Sequence, residues 1–446
     1  MTVLGIYPPK ADVKKPCAPN VQDFFVAHKK QAHILSAMAE PLNVEKLVDS
    51  VIAQHRSRGL KFLCIAAAGV GFALTLQIAL NANFAVDEMD LSGFQQGLLE
   101  MFREICGITA LGILAILAGL AEPLVGTAVL LFFAVGLSSY CYVQTYSWLI
   151  IASLVWSQGL HIWLPLPNSM GLALAERGRE GLRIGQIQAA GAVGSGFGLV
   201  CALVLNTIGV PIRPLYIVAG SAALIAAFAC FYIPRQIRSE KPKLVFRRQY
   251  GLYYLLNFLE GWRKQICLAF AGFLLVKKYG TPLSMMLILW MIVQAVGWLT
   301  SSPVGRLIDR IGERKVLVFY YSFMTVCFLG YAFIRSKYIL YGVFLLDSSF
   351  FVFAMALTTY VGRLAPASEK TLTLSMGVAM NHIAAVTMPL VGGIVWKYVG
   401  YQWTFLIGSA AAAASILAAV RVPKRIHTAI EVMPIAVTPL AGGEPD

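Results

Sequence analysis

Twelve stretches of roughly 20 mainly apolar residues recur along this chain, near 60–83, 93–120, 124–143, 147–168, 187–209, 214–233, 251–276, 283–302, 316–334, 338–360, 373–396 and 402–420. A helix rises about 1.5 Å per residue, so a run of about 20 residues matches the ~30 Å hydrocarbon core of a bilayer. Backbone groups in hydrocarbon must be satisfied within the protein, which makes helices the spanning form for runs of this length. The runs therefore predict an all-α integral membrane protein with twelve transmembrane helices in two six-helix bundles. Composition agrees: 58% of residues are hydrophobic and 13% charged, with a mean hydropathy of +0.71. A soluble domain carries about 25% charged residues. The runs 93–120 and 251–276 are the least uniform because each contains charges, yet the alternation of sides requires both.

The chain has 36 Lys and Arg against 22 Asp and Glu, a formal charge of +14. With a cytoplasmic N-terminus, 27 of the basic residues fall on the inner side and 6 on the outer, and Arg103, Arg263 and Lys264 lie inside spans. The outer loop 84–92 is acidic, with Asp87, Glu88 and Asp90. Basic residues crowding alternate loops are a signal of topology. They put both termini in the cytoplasm, point to the plasma (inner) membrane with the lipid bilayer as partner, and argue against nucleic acid. The longest inner loop, 234–250, reads IPRQIRSEKPKLVFRRQYG with its flanks and divides the spans into bundles 60–233 and 251–421. Residues 1–59, amphipathic over 21–54, are expected to form a cytoplasmic extension. They contain no apolar core of a cleavable signal peptide. Residues 422–446 are expected to form a cytoplasmic tail, disordered over its Pro- and Gly-rich part. The eight cysteines are scattered without a C-x-x-C pair, so neither a zinc site nor a disulfide framework is expected. No phosphate-binding G-x-x-x-x-G-K-[ST] occurs, and no cofactor is implied.

GRLIDRIGERKVL, Gly305 to Leu317, lies between spans 8 and 9. It resembles the loop signature of the major facilitator superfamily in its second-half position. Gly305, Asp309, Arg310, Gly312 and Arg314 match, and Glu313 departs where a basic residue is common. Gly305 would let two helices approach closely, while Asp309 would accept from a helix N-terminus or pair with a base. The first-half counterpart, GLAEPLVG, has Glu122 but no Asp-Arg pair. LAERGREGLRIG, Leu174 to Gly185, also resembles the superfamily's inner loop between spans 4 and 5, through Arg177, Arg179 and Arg183. Span 5 carries Gly191, Gly194, Gly196 and Gly198 but lacks the proline of the drug-antiporter motif. The resemblance implies a secondary transporter working by alternating access as a monomer, and not an enzyme.

Charges at bilayer depth cost several kcal/mol and mark functional candidates. Span 7 holds Glu260, Arg263 and Lys264; span 2 holds Glu100, Arg103 and Glu104; span 10 holds Asp347; and span 11 holds Asn381 and His382. The resemblance implies that spans 1, 4, 7 and 10 line a central cavity, aiming Gln77, Asn81, Gln158, His161, Glu260, Arg263 and Asp347 inward. In that reading Glu260 or Asp347 loads and releases a proton, and Arg263 or Lys264 holds an anionic group of a small-molecule or ion substrate. Equally open are structural pairs, Glu260 with Arg263 and Arg103 with Glu104, and interhelical hydrogen bonds for the two histidines. An organic or inorganic anion is the favoured substrate. A metal cation, or a sensor that transports nothing, are the alternatives.

Overall fold

The computed structural model describes residues 44–176, 178–238 and 246–423, with the backbone alone for 44–52, 367, 368 and 371. The expectations for 1–43, for the centre of the linker at 239–245 and for the tail from 424 lie outside the described residues. Among the described residues twelve long helical rods form, besides a short helix at Leu166–Leu174: α1 (Val44–Asn83), α2 (Gly93–Leu117), α3 (Glu122–Ser139), α4 (Tyr146–Trp163), α5 (Glu180–Thr207) and α6 (Ile212–Phe231) in the first half. The second half contains α7 (Gly251–Ile266), α8 (Leu283–Ile311), α9 (Glu313–Phe333), α10 (Lys337–Phe350), α11 (Ala367–Tyr398) and α12 (Tyr401–Ala419). A π-helical turn, Cys267–Ala271, carries α7 into Gly272–Lys277, and a 3₁₀ turn carries α10 into Met355–Leu364. Among the described residues no strand forms, only an isolated bridge between Ala121 and Arg238. Among the described residues ten helices are long and apolar enough to cross a membrane. The charge-bearing rods α2 and α7 are the two outside that set.

Local chemistry sets several rod ends. Ser92 accepts from the Gln95 backbone N–H while the Gln95 side chain accepts from the Ser92 N–H, a reciprocal cap on α2. Pro211, Pro282 and Pro366 stand immediately before α6, α8 and α11, where a fixed φ helps and no N–H is missed. Two boundaries differ from the sequence expectation. Helix α1 begins sixteen residues before the apolar run at Leu60, because a polar but proline-free segment continues the same helix. The signature at Gly305–Leu317 is no open loop: α8 runs through Ile311, α9 starts at Glu313, and Gly312 alone turns the chain at φ +85°.

Buried apolar side chains form two clusters, one built almost wholly from α1–α6 and one from α7–α12. Within the first, α1 lies nearly backbone to backbone on α5: a Cβ added at Gly194 would sit 2.0 Å from Ala68 O, and one at Gly71 would sit 2.1 Å from Gly191 O. Small residues make that approach possible. The halves meet along α2 against α11 and α5 against α8. Consecutive rods alternate in direction, so the α1–α2 and α7–α8 connections share one end, termed distal, opposite the described chain ends. There Lys277 Nζ is 2.5 Å from Asp90 Oδ1 across the two halves, and Asn83 donates to Thr281 O at 3.1 Å. Farther in, Gly97 of α2 lies against α11, where an added Cβ would be 2.2 Å from Pro389 O.

Candidate functional site

A cavity of about 230 Å³ lies between the halves, walled by α1, α2 and α4 on one side and by α7, α8 and α10 on the other. Its first-half wall is a hydrogen-bonded lattice centred on Arg103. The guanidinium donates to Glu100 Oε1 at 2.5 Å, to Gln77 Oε1 at 3.2 Å and to Asn81 Oδ1 at 3.4 Å. Asn81 and Gln96 also donate to Glu100 Oε1, at 3.1 and 3.2 Å. The Trp156 ring lies 4.4 Å from the guanidinium carbon, close enough for cation–π attraction. Three helices thus hold one arginine, whose planar fork can serve several acceptors at once.

Glu104 is not the partner of Arg103. Its Oε2 lies 3.3 Å from His382 Nδ1, on α11 of the opposite half. His161 of α4 completes the group, its ring centroid 5.4 Å from that of His382. Gly107 makes room for the His382 ring, since an added Cβ would stand 2.4 Å from Nδ1. Asn381 faces away and donates to Asn257 O at 3.2 Å.

The second-half wall presents Lys264 and Gln265. Lys264 makes no hydrogen bond or ion pair to any described residue, and its charge acts on the Glu104 carboxylate across the cavity. Gln265 is 1% exposed, and its Oε1 has no described donor.

Several expected cavity residues are elsewhere. Arg263 is 0% exposed, pairs with Glu260, and donates to Tyr320 Oη of α9. Tyr320 in turn donates to Glu260 Oε1 at 3.1 Å, and the Phe351 ring lies 5.2 Å from the guanidinium. This triad is packed behind the cavity wall, because the turn of α7 that offers Lys264 to the cavity directs Glu260 and Arg263 into the second-half core. Asp347 is also fully buried. Cys267 Sγ lies 3.1 Å from its Oδ1, and Tyr331 donates to its Oδ2 at 3.3 Å. The cavity begins one layer away, at Cys267 and Ser348. Gln158 turns to a separate, apolar crevice of about 870 Å³ among α2, α3 and α4, accepting from Thr109 at 2.7 Å. Of the residues expected to face inward, Gln77, Asn81 and His161 line the cavity, as do Arg103, Glu104 and Lys264. Gln96 and Gln265 complete its polar lining; amides on spans 1, 4 and 11 are singled out from the sequence, whereas these two are passed over beside the charges of spans 2 and 7.

At the end opposite the distal clasp, Arg363 joins α10 to the α8–α9 turn. It lies 2.7 Å from Asp309 Oδ1 and 3.0 Å from Glu313 Oε1. Glu313, the departure from the signature, is therefore a partner of the same arginine that engages Asp309. Gly305 is not crowded: an added Cβ would meet only Met355 Sδ at 4.0 Å, so close helix approach does not account for this glycine. Arg310 and Arg314 lie near the same turn, outside the Arg363 cluster. Glu122, at the degenerate first-half position, is buried and accepts from Ser169 Oγ at 2.6 Å.

The sequence matches the family described as the Major Facilitator Superfamily over residues 62–346 and again over 253–432. No curated protein matches the chain. Among solved structures it is similar to the nucleoside transporter NupG, with a TM-score of 0.67 and 15% identity, covering 81% of this chain and 98% of that one. It is also similar to a bacterial homologue of the human lysosomal transporter Spinster in an inward-facing, unoccupied conformation, with a TM-score of 0.60 and 13% identity, covering 82% and 95%. At these identities the likeness is one of fold.

Proposed function

The chain belongs to the major facilitator superfamily, and from that premise we propose a secondary active transporter that moves a small anionic solute by alternating access, coupled to protons. It performs no chemical step on its cargo and works as a monomer in the plasma (inner) membrane, both termini cytoplasmic and the distal end outside. The observation that carries the reading is Lys264, a cavity-lining ammonium that makes no hydrogen bond or ion pair among the described residues, opposite the Arg103 lattice. An ammonium without an ion-pair partner in a site of low dielectric attracts an anion, and Arg103, already bonded to Glu100, Gln77 and Asn81, supplies background positive potential. The contacts between the halves run from the distal surface to the Glu104–His382 pair at mid-depth, the arrangement of an inward-facing state.

Asp347 is the favoured proton carrier. It is a buried carboxyl in contact with a thiol and a phenol, and among the described residues no ion pair includes it. Glu260, by contrast, is tied to Arg263. A second reading rests on the Gln96 and Gln265 amide oxygens, both buried without a described donor. They suit a neutral hydrogen-bonding solute such as a nucleoside, the cargo of NupG.

The test is counterflow in proteoliposomes with a panel of small organic acids and nucleosides, with and without an imposed pH gradient. The reading expects acid-specific exchange that falls at least about tenfold in Lys264→Gln, one order of magnitude being about 1.4 kcal/mol of binding. Nucleoside exchange indifferent to Lys264→Gln would select the second reading. Passive equilibration unaffected by the gradient would remove the coupling.

A further inference from the structure

Glu104, His161 and His382 come from α2, α4 and α11, and one ligand-capable atom of each lies within 4.8 Å of the other two. We propose that these three side chains form a binding site for a divalent transition-metal ion, which bridges the two halves and holds them in the arrangement described here.

The donor set is specific in kind. Two imidazoles and one carboxylate suit zinc, cobalt, nickel or ferrous iron, whereas calcium and magnesium take oxygen ligands. Donors about 2.0–2.1 Å from a zinc ion stand roughly 3.4 Å apart in a tetrahedron. Side-chain rotations of about an ångström would bring the three atoms from their present spacing to that one. The surroundings are those of a metal-binding histidine. His161 Nδ1 is 2.8 Å from Ser157 O, so this nitrogen donates its proton to the carbonyl and leaves Nε2 with a free lone pair. Ligating imidazoles are oriented by such a bond to the other ring nitrogen. Gly107 provides the space that lets the His382 ring reach the group. Three protein ligands leave one position open toward the cavity, which Glu104 and His161 line. Lys264 lines the same cavity and opposes a cation, so the site gains affinity mainly from imidazole nitrogen and only secondarily from charge.

The bridging consequence follows from which half supplies each donor. Glu104 and His161 belong to the first half and His382 to the second. Separation of α2 from α11 would strip the ion of one ligand. Bound metal therefore favours the closed distal end and slows any cycle that must open it. The site holds whatever solute the carrier moves, so its test is independent of transport.

The experiment is a calorimetric titration of the purified, tag-free protein with Zn²⁺ alone, beside His161→Asn and His382→Asn. His28, His33, His55 and His427 remain in both variants, so a loss reports the cavity pair. The expected result is one tight equivalent of Zn²⁺ in the native protein and an affinity lower by about tenfold or more in each variant. Zinc-edge X-ray absorption on the native protein, which needs no variant to fold, should count two imidazoles. Nitroxide pairs at Ser92 and Tyr338, on the distal ends of the two halves, should show Zn²⁺ narrowing the distance distribution in the native protein and not in His382→Asn. Equal affinities in all three proteins, or fewer than two imidazoles at the ion, would overturn the site. Full binding with no change in distal distance would overturn the bridge.

Discussion

Lys277 Nζ stands 2.5 Å from Asp90 Oδ1, and this pair joins the last turn of the α7 rod to the connection that follows α1, across the two halves. Asp90 adopts φ +44°, a left-handed conformation that aspartate tolerates better than most residues. The hydrogen bond from Lys277 holds the Asp90 carboxyl below its ordinary value of 3.8. A depressed carboxylate stabilises the clasped form above that ordinary value, and the contribution is lost as the pH falls through the lowered one. Acid on the distal side should therefore loosen this end below about pH 4, and the effect should vanish in Asp90→Asn. The pair is exposed and screened by solvent, so the expected change is a population ratio of a few-fold at most, read as the distance between labels at Ser92 and Tyr338.

Two glycine substitutions should separate packing within a half from packing between halves. A Cβ at Gly194 would meet Ala68 O at 2.0 Å, inside the α1–α5 contact, where nothing can part without unfolding. Gly194→Ala should lower stability by about 1–3 kcal/mol, seen as a reduced Tm in detergent. A Cβ at Gly97 would meet Pro389 O at 2.2 Å, between α2 and α11. That strain can be relieved by distal opening, so Gly97→Ala should lengthen the Ser92–Tyr338 distance with a smaller loss in Tm.

How far the architecture is legible in the sequence follows from the same contacts. Length and hydropathy locate ten of the rods among the described residues, because the cost of exposing backbone to hydrocarbon leaves little choice, and the alternation of basic loops supplies α2 and α7. The rotation of each rod about its axis is another matter. Lys264 and Arg263 are adjacent in sequence, yet one faces the cavity and the other the core, because a polar group at that depth can be satisfied either by the cavity or by a buried partner such as Glu260, and the sequence does not decide which. Asp347 and Gln158 depart from their expected orientation for the same reason. Convergence of Glu104, His161 and His382 depends on three helices, two in the first half and one in the second, and no spacing within the chain encodes it. Only the high cost of charge at that depth singles these residues out in the sequence.

Arg103 should not tolerate lysine. The guanidinium bonds Glu100, Gln77 and Asn81 together and lies against Trp156; an ammonium on a flexible stem cannot meet all of them. Arg103→Gln leaves the Glu100 carboxylate buried without its cation, a cost of about 3–5 kcal/mol. The double variant Glu100→Gln with Arg103→Gln should recover much of that loss, because the stranded charge is gone. Denaturation of Glu100→Gln, Arg103→Gln and the double variant beside the native protein in one detergent gives the coupling directly, and additive losses would show that the two side chains act independently.

Asp347→Asn isolates the proposed proton step. Asparagine keeps the size of the side chain and can still accept through its amide oxygen from Tyr331 or Cys267, so the second-half core should stay intact. It cannot exchange a proton. If Asp347 carries the coupling ion, proteoliposomes containing the variant should lose uphill accumulation driven by a pH gradient while retaining solute counterflow within about twofold of the native rate. The same variant should leave Zn²⁺ affinity unchanged, since Asp347 is no part of the Glu104–His161–His382 group. Preserved accumulation would move the coupling role to another carboxyl. Glu260 would come next, although it would have to break from Arg263 and Tyr320 to take up a proton.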